Sequence, residues 1–218
     1  TQLLPERLED EEFRNHFLNI AAGEVDRISN LVNELLDFAR PSNPKLEFED
    51  VNTIIDGMIL LVTTESKKKN IQIAKQYTPD LPSVKVDREQ IKQVFLNILL
   101  NAIEATPDRG EITVKTRSFL KPGGEPHVQV EIKDTGCGIP KEHLEEIFNP
   151  FFTTKTSGSG LGLSISNQIV QDHKGYIDVG SRVNQGTSFF VNLPVDQDHP
   201  RRRRGDQERQ PTTFFEPR

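Results

Sequence analysis

The sequence predicts an α+β fold, a two-layer sandwich of a mixed sheet with helices on one face, preceded by one long bundle helix. Three observations carry it. Apolar residues recur at spacings of three and four through the first forty residues. A Pro-Ser-Asn-Pro stretch at 41–44 then interrupts any helix. From Phe48 to Leu193, segments with a strand's period of two interleave with helical ones, which suits helices laid on a sheet.

The opening helix is read from Leu18, Ala21, Val25, Ile28, Val32, Leu35 and Ala39, a heptad seam that calls for a partner helix. Phe17, Ile20, Leu31 and Phe38 widen the stripe to bundle width. A strand is expected over 48–51, then a helix capped by Asn52 and running to Ser66. Strands follow at 71–77 and 84–86, and a helix over 88–105 stops at Thr106-Pro107. Strands at 112–119 and 128–133 flank Lys121-Pro122-Gly123-Gly124, a hairpin turn. A glycine-rich irregular stretch over 134–160 holds a short helical piece at 141–147. A helix over 161–173 and strands at 176–179 and 188–193 complete the order. The expected divisions are 1–41 for the bundle helix, 42–47 for a linker, 48–195 for the α+β domain and 196–218 for a disordered tail. From His199 onward that tail carries six Arg against three acidic residues.

Composition narrows the function. Hydrophobic residues make up 34% and charged residues 28%, as in a globular chain. A net charge of −6 argues against nucleic acid as a partner, and with no Trp and two Tyr there are few platforms for stacked bases. No run of about 18 apolar residues is present to cross a membrane. The single cysteine, Cys137, rules out an internal disulfide or a cysteine-based zinc cluster and suits a reducing cytoplasm. The start without Met reads as a piece of a longer chain.

Three constellations carry chemistry. On the 88–105 helix, Asn97, Asn101 and Glu104 follow at spacings of four and three and share a face apart from the apolar stripe of Ile91, Val94, Phe95, Ile98 and Ala102. Carboxamide oxygens suit a hard cation such as Mg²⁺, and by themselves they equally suit a solvated face. Asp134-Thr135-Gly136-Cys137-Gly138 follows a strand. A carboxylate there can accept from an exocyclic amine beside glycines that admit a flat ring, or it can simply make a turn. Gly158-Ser159-Gly160-Leu161-Gly162-Leu163 opens a helix whose free N–H groups would cradle phosphate, with Lys155 just upstream as a point charge. The glycine spacing matches neither a dinucleotide fingerprint nor a Walker loop.

In this order, with Asn101-Ala-Ile-Glu-Ala105, the run Phe148-Asn-Pro-Phe-Phe-Thr-Thr-Lys155 and Gly186-Thr187, the chain from Phe48 to Leu193 closely resembles the catalytic, ATP-binding domain of sensor histidine kinases. That superfamily includes gyrase, MutL and heat-shock-chaperone ATPases. Residues 24–41 resemble the second helix of the family's dimerisation domain. The resemblance implies that Asn101 ligates Mg²⁺, with Asn97 supporting the metal or phosphates one turn earlier. It implies that Asp134 holds adenine N6, that Gly136 and Gly138 shape the ring pocket, and that Thr187 closes it. Ile147, Phe151 and Phe152 would wall or gate the site, and Ser159, Gly160, Leu161, Gly162 and Leu163 would cover the phosphates. Glu104-Ala105 stands where many relatives carry Lys-Tyr and places the chain near a nitrogen-regulator-like branch.

The related ATPases carry a Glu one turn before the metal Asn; Asn97 stands there, and a neutral amide is no general base. Phosphoryl transfer is therefore expected over hydrolysis. The family's acceptor is a His followed by an acidic residue, and none of His16, His127, His143, His173 or His199 has that context. The expected acceptor helix precedes Thr1. The expected partners are a second copy through the dimerisation helices and a response-regulator receiver domain, with any membrane contact made by segments outside this chain. The alternative reading is a nucleotide-binding regulatory module without transfer activity.

Overall fold

The computed structural model describes residues 11–39, 44–155 and 158–196. Helix α1 spans Glu11–Ala39. Of the expected seam, Leu18, Val25 and Ile28 are 55%, 61% and 58% exposed, so nothing among the described residues covers them. The side chains of Val32, Leu35 and Ala39, and residues 40–43, lie outside the described set.

Strand β1 (Glu47–Glu49) precedes helix α2 (Val51–Lys68). Asp50 caps α2, accepting from Asn52 N at 2.9 Å, so the cap expected at Asn52 falls two residues earlier. The helix starts two residues sooner for this reason, with Asn52 inside its first turn and the Asn52 amide donating to Thr78 O at 3.3 Å instead. Strands β2 (Gln72–Gln76) and β3 (Val84–Val86) lead to helix α3 (Arg88–Ala105). Strands β4 (Glu111–Leu120) and β5 (Pro126–Asp134) are longer than expected, since Gly123 and Gly124 turn the hairpin tightly enough for pairing to reach Leu120 and Pro126. After a single 3₁₀ turn at Lys141–His143, shorter than the helical piece expected, come helix α4 (Gly162–Asp172) and strands β6 (Tyr176–Arg182) and β7 (Gly186–Pro194). The tail at 197–218 lies outside the described residues.

The main sheet runs β2-β4-β5-β7-β6, with β2 parallel to β4 and the other neighbours antiparallel. The parallel pair is possible because α3 supplies the crossover. Strands β1 and β3 pair apart from this sheet, leading into the N-caps of α2 and α3. Asp87 caps α3 through Glu89 N and Gln90 N and also takes Lys45 N at 2.8 Å. Burial pushes the Asp87 carboxyl up, but those three N–H groups and the nearby His173 ring outweigh it and hold it below its ordinary value.

The period of two places one row of each strand under the helices. Val114 on β4, Ile132 on β5 and Phe189 on β7 are buried in one cross-strand row. Phe95, Ile98 and Leu99 of α3 are fully covered and pack into this core. Burying a side chain of this size contributes about 1.5–3 kcal/mol, and it commits the rest of α3's surface to face outward. Asn97, Asn101 and Glu104 occupy that other surface.

Candidate functional site

Asp134 is the last residue of β5, paired with Ile112, and its side chain is almost fully buried. Its Oδ1 accepts from Gly136 N at 2.8 Å and from Thr187 N at 3.2 Å, so both backbone bonds fall on one oxygen. Burial pushes the carboxyl above its ordinary value, while these two N–H groups oppose the push. Thr187, near the start of β7, is itself held by a hydroxyl–hydroxyl contact with Ser181 at 3.0 Å. Gly138 turns the loop at φ 71°, where a Cβ would sit 2.1 Å from Arg182 O, so only glycine lets the loop lie on β6. Cys137 N donates to Ala105 O at 3.2 Å, which ties this loop to the end of α3.

On α3, Asn97 Nδ2 donates to Gly162 O at 3.1 Å and to Ser166 Oγ at 3.3 Å. The amide thus fastens the start of α4 to the outward face of α3. One turn later, Asn101 Oδ1 accepts from Lys155 Nζ at 2.6 Å, and the same ammonium pairs with Glu104.

The intervening loop is organised by two residues with positive φ. Phe151 (φ 68°) donates its N–H to Gly160 O at 3.0 Å, and a Cβ on Gly160 (φ 72°) would come within 2.5 Å of Phe151 C. That geometry turns Phe151 outward, where it is 64% exposed, and turns Phe152 inward against the His143 ring at 5.4 Å. Leu161 is buried beneath, while Ser159 Oγ accepts from Leu161 N at 3.2 Å. The first-turn N–H groups of α4 have no carbonyl of their own helix to meet.

These parts enclose a cavity of about 410 Å³. Of the residues expected at the site, Asp134, Gly138, Thr187, Asn97, Asn101 and Lys155 all line it. Ile147 and Phe152 form part of its wall, Ser159 and Gly160 border it from the loop, and Gly162 and Leu163 from the start of α4. Gly136, Phe151 and Leu161 are not in the lining: the first acts through its N–H, the second faces solvent and the third is in the core. Sequence reasoning left out Leu100 and Phe189, which also line the cavity. Both carry a legible signal, since Leu100 is three residues past Asn97 on the helix and Phe189 two past Thr187 on the strand. His143 lines it as well, from the 3₁₀ turn, as do Cys137 and Thr153 from irregular backbone that no period predicts.

The arrangement offers a buried carboxylate for an amine donor, a glycine-opened helix start for an anion, and carboxamide oxygen for a cation. Asn101 Oδ1 already meets a cation in the Lys155 ammonium, so its surroundings fit a positive charge. Among the described residues no cluster of three His, Cys, Asp or Glu could hold a metal ion.

A family model described as histidine kinase-, DNA gyrase B- and HSP90-like ATPase matches residues 86–197. The chain is 33% identical over 195 residues to the signal transduction histidine-protein kinase AtoS of Escherichia coli K12, covering 89% of this chain and 31% of that protein. It spans about a third of the length of the curated relatives it matches. Among solved structures, histidine kinase ThkA in complex with the response regulator TrrA has TM-score 0.71 and 31% identity, covering 86% of this chain and 53% of that one. Full-length ShkA in complex with AMPPNP has TM-score 0.70 and 26% identity, covering 83% and 38%.

Proposed function

This chain belongs to the family of histidine kinase-, DNA gyrase B- and HSP90-like ATPases, and from that premise we propose that it is the ATP-binding catalytic portion of a two-component sensor histidine kinase. Asp134 takes the adenine amino group on its carboxylate, with Gly138 and Thr187 beside the ring. The N–H groups at the start of α4, with Ser159, Gly160 and Leu163 around them, cradle the phosphates. Asn101 would contribute one carboxamide oxygen to Mg²⁺, a hard cation that oxygen donors suit. When bound, Mg-ATP supplies the γ-phosphoryl group and a metal that draws off charge as it transfers.

One observation carries the choice of transfer over hydrolysis. The Asn97 amide, one turn before Asn101, donates to Gly162 O at 3.1 Å. Its nitrogen is occupied as a donor, and an amide there cannot take a proton from water. ATP is then held for an acceptor histidine on a dimerisation helix, since no histidine here has the acceptor context. Helix α1 serves as that unit's second helix, its exposed Leu18, Val25 and Ile28 meeting a partner helix and a second copy. Residues 42–47 act as linker and 48–195 as the catalytic domain. A response-regulator receiver domain takes the phosphoryl group onward. Among the described residues no helix is long and apolar enough to cross a membrane. We place the chain in the cytoplasm, with any membrane contact made by segments outside it.

The test mixes this chain with a full-length relative disabled at the position equivalent to Asn101, using γ-labelled ATP. Acid-labile label on the relative's dimerisation helix is expected. No label, despite measured ATP binding and subunit exchange, would leave a nucleotide-binding module without transfer.

A further inference from the structure

Lys155 and Glu104 form a relationship that nucleotide recognition by Asn101 does not require. The Lys155 ammonium sits 2.6 Å from Asn101 Oδ1 and in contact with Glu104 Oε2, so one cation meets both oxygens at once. Asn101 and Glu104 are three residues apart on α3 and share its outward face. Lys155 comes from the loop, where its N–H is set by Thr153 Oγ1 at 3.1 Å. All three side chains border the cavity.

A carboxylate at this place needs a cation. Glu104 lines the cavity and shares a cation with Asn101, the residue that the proposed function sets beside the phosphates, and anion facing anion across a few ångströms is unfavourable. In the present geometry the neutralising cation is Lys155. A carboxylate and a carboxamide oxygen around one point are also donors that a hard divalent cation accepts. The ion pair is solvent-accessible, with side chains 41% and 59% exposed, and such pairs are weak enough to exchange.

We propose that Lys155 keeps the place of the divalent cation, that Glu104 joins Asn101 in holding that cation directly or through its water, and that arrival of the metal nucleotide displaces Lys155 and so frees the loop from α3. The role of Asn101 rests on the proposed function; those of Glu104 and Lys155 rest on the shared contact. Glu104 is a metal-positioning residue in this scheme, and Lys155 a competitor for its site.

Mn²⁺ is the probe, read by the loss of its free EPR signal on the nucleotide-free chain and by the Mn²⁺ dependence of binding a fluorescent ATP analogue. Lys155→Met is expected to lower the half-saturating Mn²⁺ concentration about two- to fivefold, the scale of removing an exposed ion pair. Glu104→Gln is expected to raise it, and Lys155→Met with Glu104→Gln to cancel the gain from Lys155→Met alone. Lys155→Arg, which keeps the charge, should stay near wild type. If Glu104 only anchored the lysine, Glu104→Gln would behave as Lys155→Met does, and that result would overturn the proposal. Equal Mn²⁺ dependence in all four variants and wild type would overturn it too. Failure of wild type to bind the analogue with any metal would refute the ATP reading instead, while the order of Mn²⁺ affinities without nucleotide still decides this one. Both side chains are exposed, so the variants should fold, and matching thermal unfolding curves check that they do.

Discussion

The Asn97 side chain bridges two helices: its Nδ2 donates to Gly162 O at 3.1 Å, where α4 begins. Ser166 Oγ donates to the same carbonyl at 2.8 Å, so Gly162 O is doubly engaged and its position is over-determined. The residue to which the family resemblance gives a phosphate or metal support role is, in the fold, the clasp that sets the helix start bordering the cavity.

Removing that clasp should loosen α4. Asn97→Ala is expected to cost about 1–2 kcal/mol, the worth of one or two partly buried hydrogen bonds. Asn97→Asp should cost more, because a carboxylate would face the Gly162 carbonyl with no proton to share. Urea unfolding of the three proteins checks the order, and an Asp variant as stable as wild type would show that the amide is not the donor.

Asn101 should matter to the metal and little to the fold. Among the described residues its Oδ1 is bonded to the Lys155 ammonium alone, in a solvent-accessible setting. Asn101→Ala is expected to lower ATP affinity in Mg²⁺ about tenfold or more, about 1.4 kcal/mol or above. In EDTA the variant and wild type should bind alike. Isothermal titration in the two buffers separates these outcomes.

Asp134 should give opposite pH dependences to stability and to binding. Burial raises its folded value above the unfolded one, so the fold binds this proton more tightly than the unfolded chain. Its stabilising contribution is therefore fully present below the unfolded value and is lost as pH rises through the raised one. Adenine binding through this carboxylate, as proposed, needs the ionised acceptor and is expected to weaken as pH falls through that same raised value. Asp134→Asn should remove this carboxyl's part of the pH dependence of stability, measured by thermal unfolding across the acid range. It should also lower nucleotide affinity at neutral pH, because an amide nitrogen or a weaker acceptor then meets the adenine amine.

Asp87 should behave as a structural counterpart. It caps α3 and holds Lys45 N, and its folded value is depressed. Its contribution is thus present above the unfolded value and lost as pH falls through the folded one. Asp87→Ala should cost about 1–2 kcal/mol, as for loss of a helix cap, and lower Tm by roughly 2–8 °C. Asp87→Asn should retain most of the cap.

Much of this was legible because it is written in periods and punctuation. Helix α3 runs from Arg88 to Ala105 as its apolar spacing and Thr106-Pro107 predict. Strand ends were harder, since β4 and β5 extend to Leu120 and Pro126 only because their partners are in register. The cap at Asp50 rather than Asn52 was a choice between two good capping residues, decided by which one keeps an extended backbone, φ −87° and ψ 112°. In the loop, Phe151 and Phe152 look alike in the sequence, yet one faces solvent and the other packs on His143.

The sequence by itself determined the helix and strand order, the face on which Asn97, Asn101 and Glu104 lie, and the glycines beside Asp134. Those follow from local spacing, which a chain carries wherever it folds. Only the tertiary structure decided that Lys155 reaches back fifty-four residues to Asn101, that Asn97 clasps Gly162, and that Thr187 and Gly136 share one oxygen of Asp134. Each of these needs segments far apart in sequence to be set within about 3 Å of each other, the range of a hydrogen bond. The packing of α3 and α4 on a common sheet sets those distances, and no local pattern encodes them.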